Sequence, residues 1–198
     1  MKAQSEIISA VVIVIISMSL FGSAYLWGWP ILEKKRDEEK VRRVFDDYFD
    51  PTNPNSMVGI IEEIKRDKSS KIVSGSEEGA WNVTNGSIIF YKVFRVSPFP
   101  SDGKWVFIDG NAAGVGDINV DPWYVIYGKS EPYEDGYMVY YNLTTVNLTD
   151  STGKTFRIEF SPDKNSFHGK SLIFQYNTEV INPSDPNYII ISIKVYPV

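Results

Sequence analysis

The sequence predicts an α+β fold in which one long apolar N-terminal helix is followed by a mainly antiparallel β-sandwich, with a partly open barrel as the alternative closure. Three observations predict it. Residues 7–32 carry no charged side chain, which as helix is about 39 Å long at 1.5 Å per residue. Residues 41–48 place Val41, Val44, Phe45 and Tyr48 at helical spacing. Beyond Lys71, apolar and polar residues alternate with period two in short runs separated by Asp-Gly, Asn-Gly and Pro-rich turns.

Composition narrows the function classes. The chain has 198 residues, a net charge of −5 and no cysteine. Lys34, Lys35, Arg36, Lys40, Arg42 and Arg43 form the one dense basic run, interleaved with Glu33, Asp37, Glu38 and Glu39. That cancelled field argues against nucleic-acid binding, which needs a clustered positive face. Without cysteine there is no disulfide, thiolate metal site or Cys nucleophile. The single histidine, His168, forms no Ser-His-Asp or zinc constellation and is expected in a turn. The three Gly-Lys-Ser/Thr triplets at 128–130, 153–155 and 169–171 lack the upstream glycine of a phosphate loop and read as turns. No catalytic function and no cofactor is expected.

The apolar run exceeds the roughly 30 Å of a bilayer core. Lys2 precedes it, and Trp27 and Trp29 near its far end suit an interfacial aromatic belt. Ser9, Ala10, Ser17, Ser19, Gly22, Ser23 and Ala24 would let such helices approach closely. Pro30 should kink or stop the helix, the stretch 33–50 continues it as a charged, then amphipathic, segment, and Asp50-Pro51 ends it. Three fates are open to this segment: a permanent signal anchor, cleavage after Ala24 at Gly22-Ser23-Ala24, or cleavage before the apolar run.

The opening Met1-Lys2-Ala3-Gln4-Ser5-Glu6, followed directly by the long apolar helix, resembles the class III signal peptides of archaeal type IV pilins. The resemblance covers about the first 30 residues. It implies a leader 1–3 removed by a prepilin peptidase between Ala3 and Gln4, a stalk helix 4–50 and an extracellular β-rich domain 57–198. It also implies a self-assembling surface filament with a role in attachment, whose subunits rest in the membrane before assembly. Under this reading Glu6 becomes the third residue of the processed chain. There its carboxylate can meet the new α-amino group of its own or a neighbouring subunit, or the positive end of the helix dipole. The alternative is a signal-anchored surface domain that does not polymerise. The basic neck after Leu32 opposes an outward C-terminus by the positive-inside tendency, whereas the sequons below favour it.

Downstream, residues 57–68 read as an amphipathic helix with Met57, Ile60, Ile61 and Ile64 on one face and Ser56 as N-cap. Strands are expected over 87–95, 104–108, 123–127, 137–143, 155–160, 170–181 and 187–196, with residues 182–186 as the loop of a final hairpin. The segment 81–90 resembles the strand–turn–strand that follows the stalk in pilin-like proteins. Leu172, Phe174, Tyr176, Thr178 and Val180 should share one face, as should Ile189, Ile191, Ile193 and Val195.

Four sequons, at Asn82, Asn85, Asn142 and Asn147, offer N-glycosylation acceptors if the domain lies outside the cell; Asn182 is excluded by Pro183. The loop from Asp109 to Asp117 has the opening of an EF-hand but Val120 where the bidentate Glu belongs, so that motif is rejected. Asp109, Asn111, Asp117 and Asp121 are left as the alternative, a looser Ca²⁺ site of hard oxygen ligands, against a Gly-rich surface loop. Tyr124, Tyr127, Tyr133, Tyr137, Tyr140 and Tyr141 are expected mainly as core and cross-strand pairs rather than as a binding face.

Overall fold

The structure is a computed structural model that describes residues 2–118, 120–182 and 185–198, and side chains from Ser9 onward. The chain divides into two compact units, one ending at Glu39 and one running from Lys40 to Val198.

Helix α1 runs unbroken over Lys2–Val44 and passes through Pro30. Proline removes one hydrogen bond, to the Leu26 carbonyl, and the flanking residues hold the helix across that gap. Of the kink or stop expected at Pro30, the stop is absent, and the helix continues as the stalk reading expects. The last turn loosens into a π-helical turn, Phe45–Phe49, and Asp50 leaves in extended conformation. In this second unit Val41, Val44 and Tyr48 are buried, as their spacing predicts, Phe45 of the same set is half-buried against the core, and Phe49 is buried as well. Helix α2, Met57–Asp67, starts where the Ser56 hydroxyl accepts from the Gly59 amide and ends at Lys68 in the left-handed region. Its predicted apolar face, Met57, Ile60, Ile61 and Ile64, is buried.

Among the described residues, nine strands form one sheet in the order β3-β4-β5-β2-β1-β8-β9-β7-β6. They are β1 (Ser70–Val83), β2 (Ser87–Phe94), β3 (Val106–Gly110), β4 (Tyr124–Tyr133), β5 (Gly136–Thr145), β6 (Leu148–Thr149), β7 (Thr155–Pro162), β8 (Ser166–Ile181) and β9 (Tyr188–Pro197). The sheet is mixed, because β7 and β9 run parallel. The β8–β9 hairpin docks with β9 inward, between β8 and β7, so β9 must run in the same direction as β7. In place of two separate sheets, this single sheet folds back so that β7 meets the central β1–β2 turn and the residue that precedes β4. The Phe160 amide of β7 donates to the Asn85 carbonyl in the β1–β2 turn at 2.8 Å. Trp123, just before β4, meets Phe160 with ring centroids 6.4 Å apart. Positions 183 and 184 of the expected hairpin loop lie outside the described residues.

Inward residues follow the predicted alternation: Leu172 and Phe174 of β8, and Ile191, Ile193 and Val195 of β9, are buried. Beyond Tyr176 the β8–β9 register shifts, and Val180 is exposed. His168 lies in β8 opposite Ala80, not in a turn. Gly128-Lys129-Ser130 and Gly169-Lys170-Ser171 lie in β4 and β8, and only the triplet at 153–155 begins in a turn.

The end of α1 docks where β1 is irregular. Pairing of β1 with β8 breaks between Ser74 and Gly79. The Tyr48 hydroxyl lies there, 2.9 Å from the Glu77 carbonyl and 2.6 Å from the Lys170 carbonyl. Its ring packs edge-on to Trp81 at 4.9 Å and against Phe90 at 5.5 Å. Gly75 and Gly79 make this possible. A Cβ on Gly75 would stand 2.2 Å from the Tyr48 ring, and one on Gly79 would stand 2.2 Å from the Phe90 ring. Gly79→Ala is expected to cost about 1–3 kcal/mol, the usual penalty of overpacking a filled core. A urea-melt midpoint equal to that of the parent would refute this packing role for Gly79.

Candidate functional site

The first candidate is the apolar half of α1. Every large apolar side chain from Val11 to Leu32 is exposed, with Phe21 at 78% and Trp27 at 80%. The helix is apolar all round rather than along one stripe, which suits a wholly apolar surrounding better than docking on a single partner face. Tyr25 and Trp29, one turn apart, stack at 5.6 Å. The helix is long and apolar enough to cross a membrane, which makes it a candidate membrane anchor or signal. Burying each large side chain would contribute roughly 1.5–3 kcal/mol. Ala3, Gln4 and Glu6 fall in α1, but their side chains lie outside the described residues.

The four sequons gather at one end of the sheet. Asn85 is exposed in the turn between β1 and β2, and Asn147 is exposed just after β5. The Asn147 Oδ1 accepts from the Tyr188 hydroxyl at 3.2 Å. Asn82 in β1 and Asn142 in β5 are half-buried within strands. Both pair with Ile89, on opposite sides of β2. Their chain neighbours Trp81, Val83, Tyr141 and Leu143 are core, so Asn82 and Asn142 face outward. The Thr144 hydroxyl donates to the Asn142 Oδ1 at 3.1 Å.

That outer face carries more aromatic surface than the tyrosine reading expects. Tyr124 and Tyr141 are core and Tyr137 packs against it. Tyr127 and Tyr140 face outward on β4 and β5, and Tyr133 is exposed at 44%. One register row runs His168, Ala80, Tyr91, Tyr140, Lys129 across β8, β1, β2, β5 and β4. Tyr91 and Tyr140 stack at 5.6 Å, and Trp105 meets Tyr140 at 6.3 Å. The Lys129 ammonium stands 4.4 Å from the Tyr140 ring centroid and 5.1 Å from that of Trp105, within cation–π range. It also donates to Glu131 at 2.7 Å. That bond holds the Glu131 carboxyl below its ordinary range. Burial, and then Glu131, push the Tyr140 phenol up. Sequence reasoning missed this row. The signal present was Ile89, Tyr91 and Val93 on β2, outward apolar residues alternating with inward ones.

The acidic loop is not assembled as a metal site. Asp109 accepts from the Gly110 amide, Asp121 from the Asp117 amide and Asn111 from the Gly114 amide. Among the described residues no three His, Cys, Asp or Glu side chains converge to hold a metal.

Comparison of the chain with protein-family models, curated proteins and solved structures returned no match.

Proposed function

We propose that this chain is the structural subunit of an archaeal type IV pilus-like surface filament serving attachment, assembled through its N-terminal helix. The observation that carries this reading is the all-round exposure of the apolar segment of α1, in a helix whose last turns belong to the core of the β-rich unit. A helix of this kind is soluble only when lipid or other apolar helices surround it. Bundling the apolar segments in a filament core removes them from water and leaves the β-domains outside. Before assembly the bilayer holds the same segment. The opening Lys2-Ala3-Gln4-Ser5-Glu6 supports removal of residues 1–3 by a prepilin peptidase, with Glu6 then pairing near the new terminus.

The N-terminal residue of the native protein, read by mass spectrometry, tests this directly. Gln4 is the expected terminus. Tyr25 would mean a released domain, Met1 a permanent anchor, and either result overturns the filament reading. Glu6→Ala is expected to lower the yield of sedimentable filaments by about tenfold, equivalent to about 1.4 kcal/mol lost per assembly step. Parent-like yields from that variant would remove the assembly role from Glu6.

A further inference from the structure

We propose that the outer face of β1, β2 and β5 is the seat of the chain's own N-linked glycans, carried by Asn82 and Asn142. The inference rests on the outward placement of the β-domain in the proposed function. Asn82 and Asn142 stand at one level of the sheet, either side of Ile89. Two residues along the strands, the next outward row is His168, Ala80, Tyr91 and Tyr140. Ala80 is small, and over it opens a shallow depression of about 420 Å³ whose lining includes Tyr91, Val93, Met138 and His168 together with the charged Glu78 and Lys92. Its size falls within the roughly 300–1,000 Å³ range of small-molecule sites.

The chemistry of this face matches a sugar. Tyr91 and Tyr140 offer ring faces to the apolar C–H side of a pyranose. His168, Glu131 and the tyrosine hydroxyls offer polar atoms to its hydroxyls. Left bare, Ile89, Val93, Met138, Tyr91 and Trp105 make a contiguous apolar area of the kind that promotes association. The two acceptors flank Ile89 at one end of that area, so the occupant is tethered beside the surface it covers. In attachment, the asparagine Nδ2 bonds to the anomeric carbon of a phosphate-activated oligosaccharide. The carbon–oxygen bond to the phosphate breaks, and the amide proton passes to a base of the transferring enzyme.

The test uses the full chain from its native source, in detergent. The parent is compared with the Asn82→Gln/Asn142→Gln double variant and with Thr84→Val/Thr144→Val, which removes both sequons while keeping both asparagines. Glycopeptide mass spectrometry reads occupancy. Dilute hydrogen peroxide then reads shielding as Met138 sulfoxide formation, with the fully buried Met57 as internal reference. The expected result is sugar mass on Asn82 and Asn142, with Met138 oxidised on the order of fivefold more slowly in the parent than in either variant, since oxidation follows exposure. Unmodified Asn82 and Asn142, or equal oxidation rates, overturn the proposal. Protease treatment of intact cells separates the two ideas. A cleaved β-domain with bare acceptors sinks only the glycan seat, and a protected domain sinks the outward placement as well.

Discussion

A chain that begins at Lys40 is expected to fold cooperatively, whereas one that begins at Pro51 is expected not to fold. The eleven residues between these starting points look like the end of a stalk, yet they supply Val41, Val44, Tyr48 and Phe49 to the core, each at most 4% exposed. Tyr48 fills the irregular stretch of β1 and caps the Glu77 and Lys170 carbonyls. Phe49 stacks on Tyr141 at 5.3 Å. Truncating one buried aromatic residue costs about 3–5 kcal/mol. Losing two aromatics and two valines therefore exceeds much of the roughly 5–15 kcal/mol that keeps a domain folded. Residues before Lys40 belong to the other unit, and among the described residues the core of this unit begins at Val41. Circular dichroism and a urea titration separate the outcomes. A cooperative transition in the Pro51 chain, or none in the Lys40 chain, would show that the division of labour lies elsewhere along the helix.

The same helix shows how far local pattern reaches. Residues 41–48 and α2 are legible because 3.6-residue spacing and a Ser56 cap are local signals, and the structure uses both. β8 and β9 are legible for the same reason, in period two. What local pattern does not encode is which strands meet. The parallel β7–β9 pair arises from how the β8–β9 hairpin docks, a choice that leaves no trace in either strand's alternation. β1 is legible only from Trp81 onward. Gly75, Glu77, Glu78 and Gly79 interrupt its alternation at the point where it bends around Tyr48 and Phe90. His168 reads as a turn because Gly169 follows it, yet Gly169 sits in the strand opposite Gly79. The outer aromatic row stays hidden because tyrosine suits core and surface alike. Only the register reveals that Tyr91, Tyr140 and Lys129 stand side by side. For the N-terminal residues the balance is reversed: the motif is in the sequence, and the structure leaves Ala3, Gln4 and Glu6 without described side chains.

Above pH 10 the β-domain is expected to lose stability steeply, and Tyr141→Phe is expected to flatten that loss. Tyr141 is 3% exposed, packed among Phe45, Phe49 and Phe99 at centroid distances of 5.3–5.9 Å. Burial, reinforced by nearby Asp46, pushes its phenol well above the usual value. Tyr124 is pushed up to about 12 by burial first, then by Asp109, Glu62 and Asp50. An unfolded tyrosine titrates near pH 10. Between that pH and the folded value, the folded state keeps a proton that the unfolded state has released. The stabilisation is therefore complete below about pH 10 and falls as pH rises, by about 1.4 kcal/mol per pH unit for each fully buried tyrosine. Lys65 acts in the opposite sense. Its ammonium donates to Glu62 at 2.7 Å and to the Ile118 carbonyl at 2.9 Å, with the side chain 6% exposed. Burial lowers its pKa, and Glu62 only partly offsets that. The unfolded state then binds the extra proton, so stability rises with pH up to about 10.5. Urea melts of the Lys40 chain from pH 8 to 12 should give a maximum near pH 10. Tyr141→Phe keeps the ring and removes the titrating proton, so its slope above pH 10 should be shallower by about one proton. Parallel parent and Tyr141→Phe curves across that range would mean that Tyr141 ionises without unfolding the domain, and would place the alkaline limit of this fold in another group.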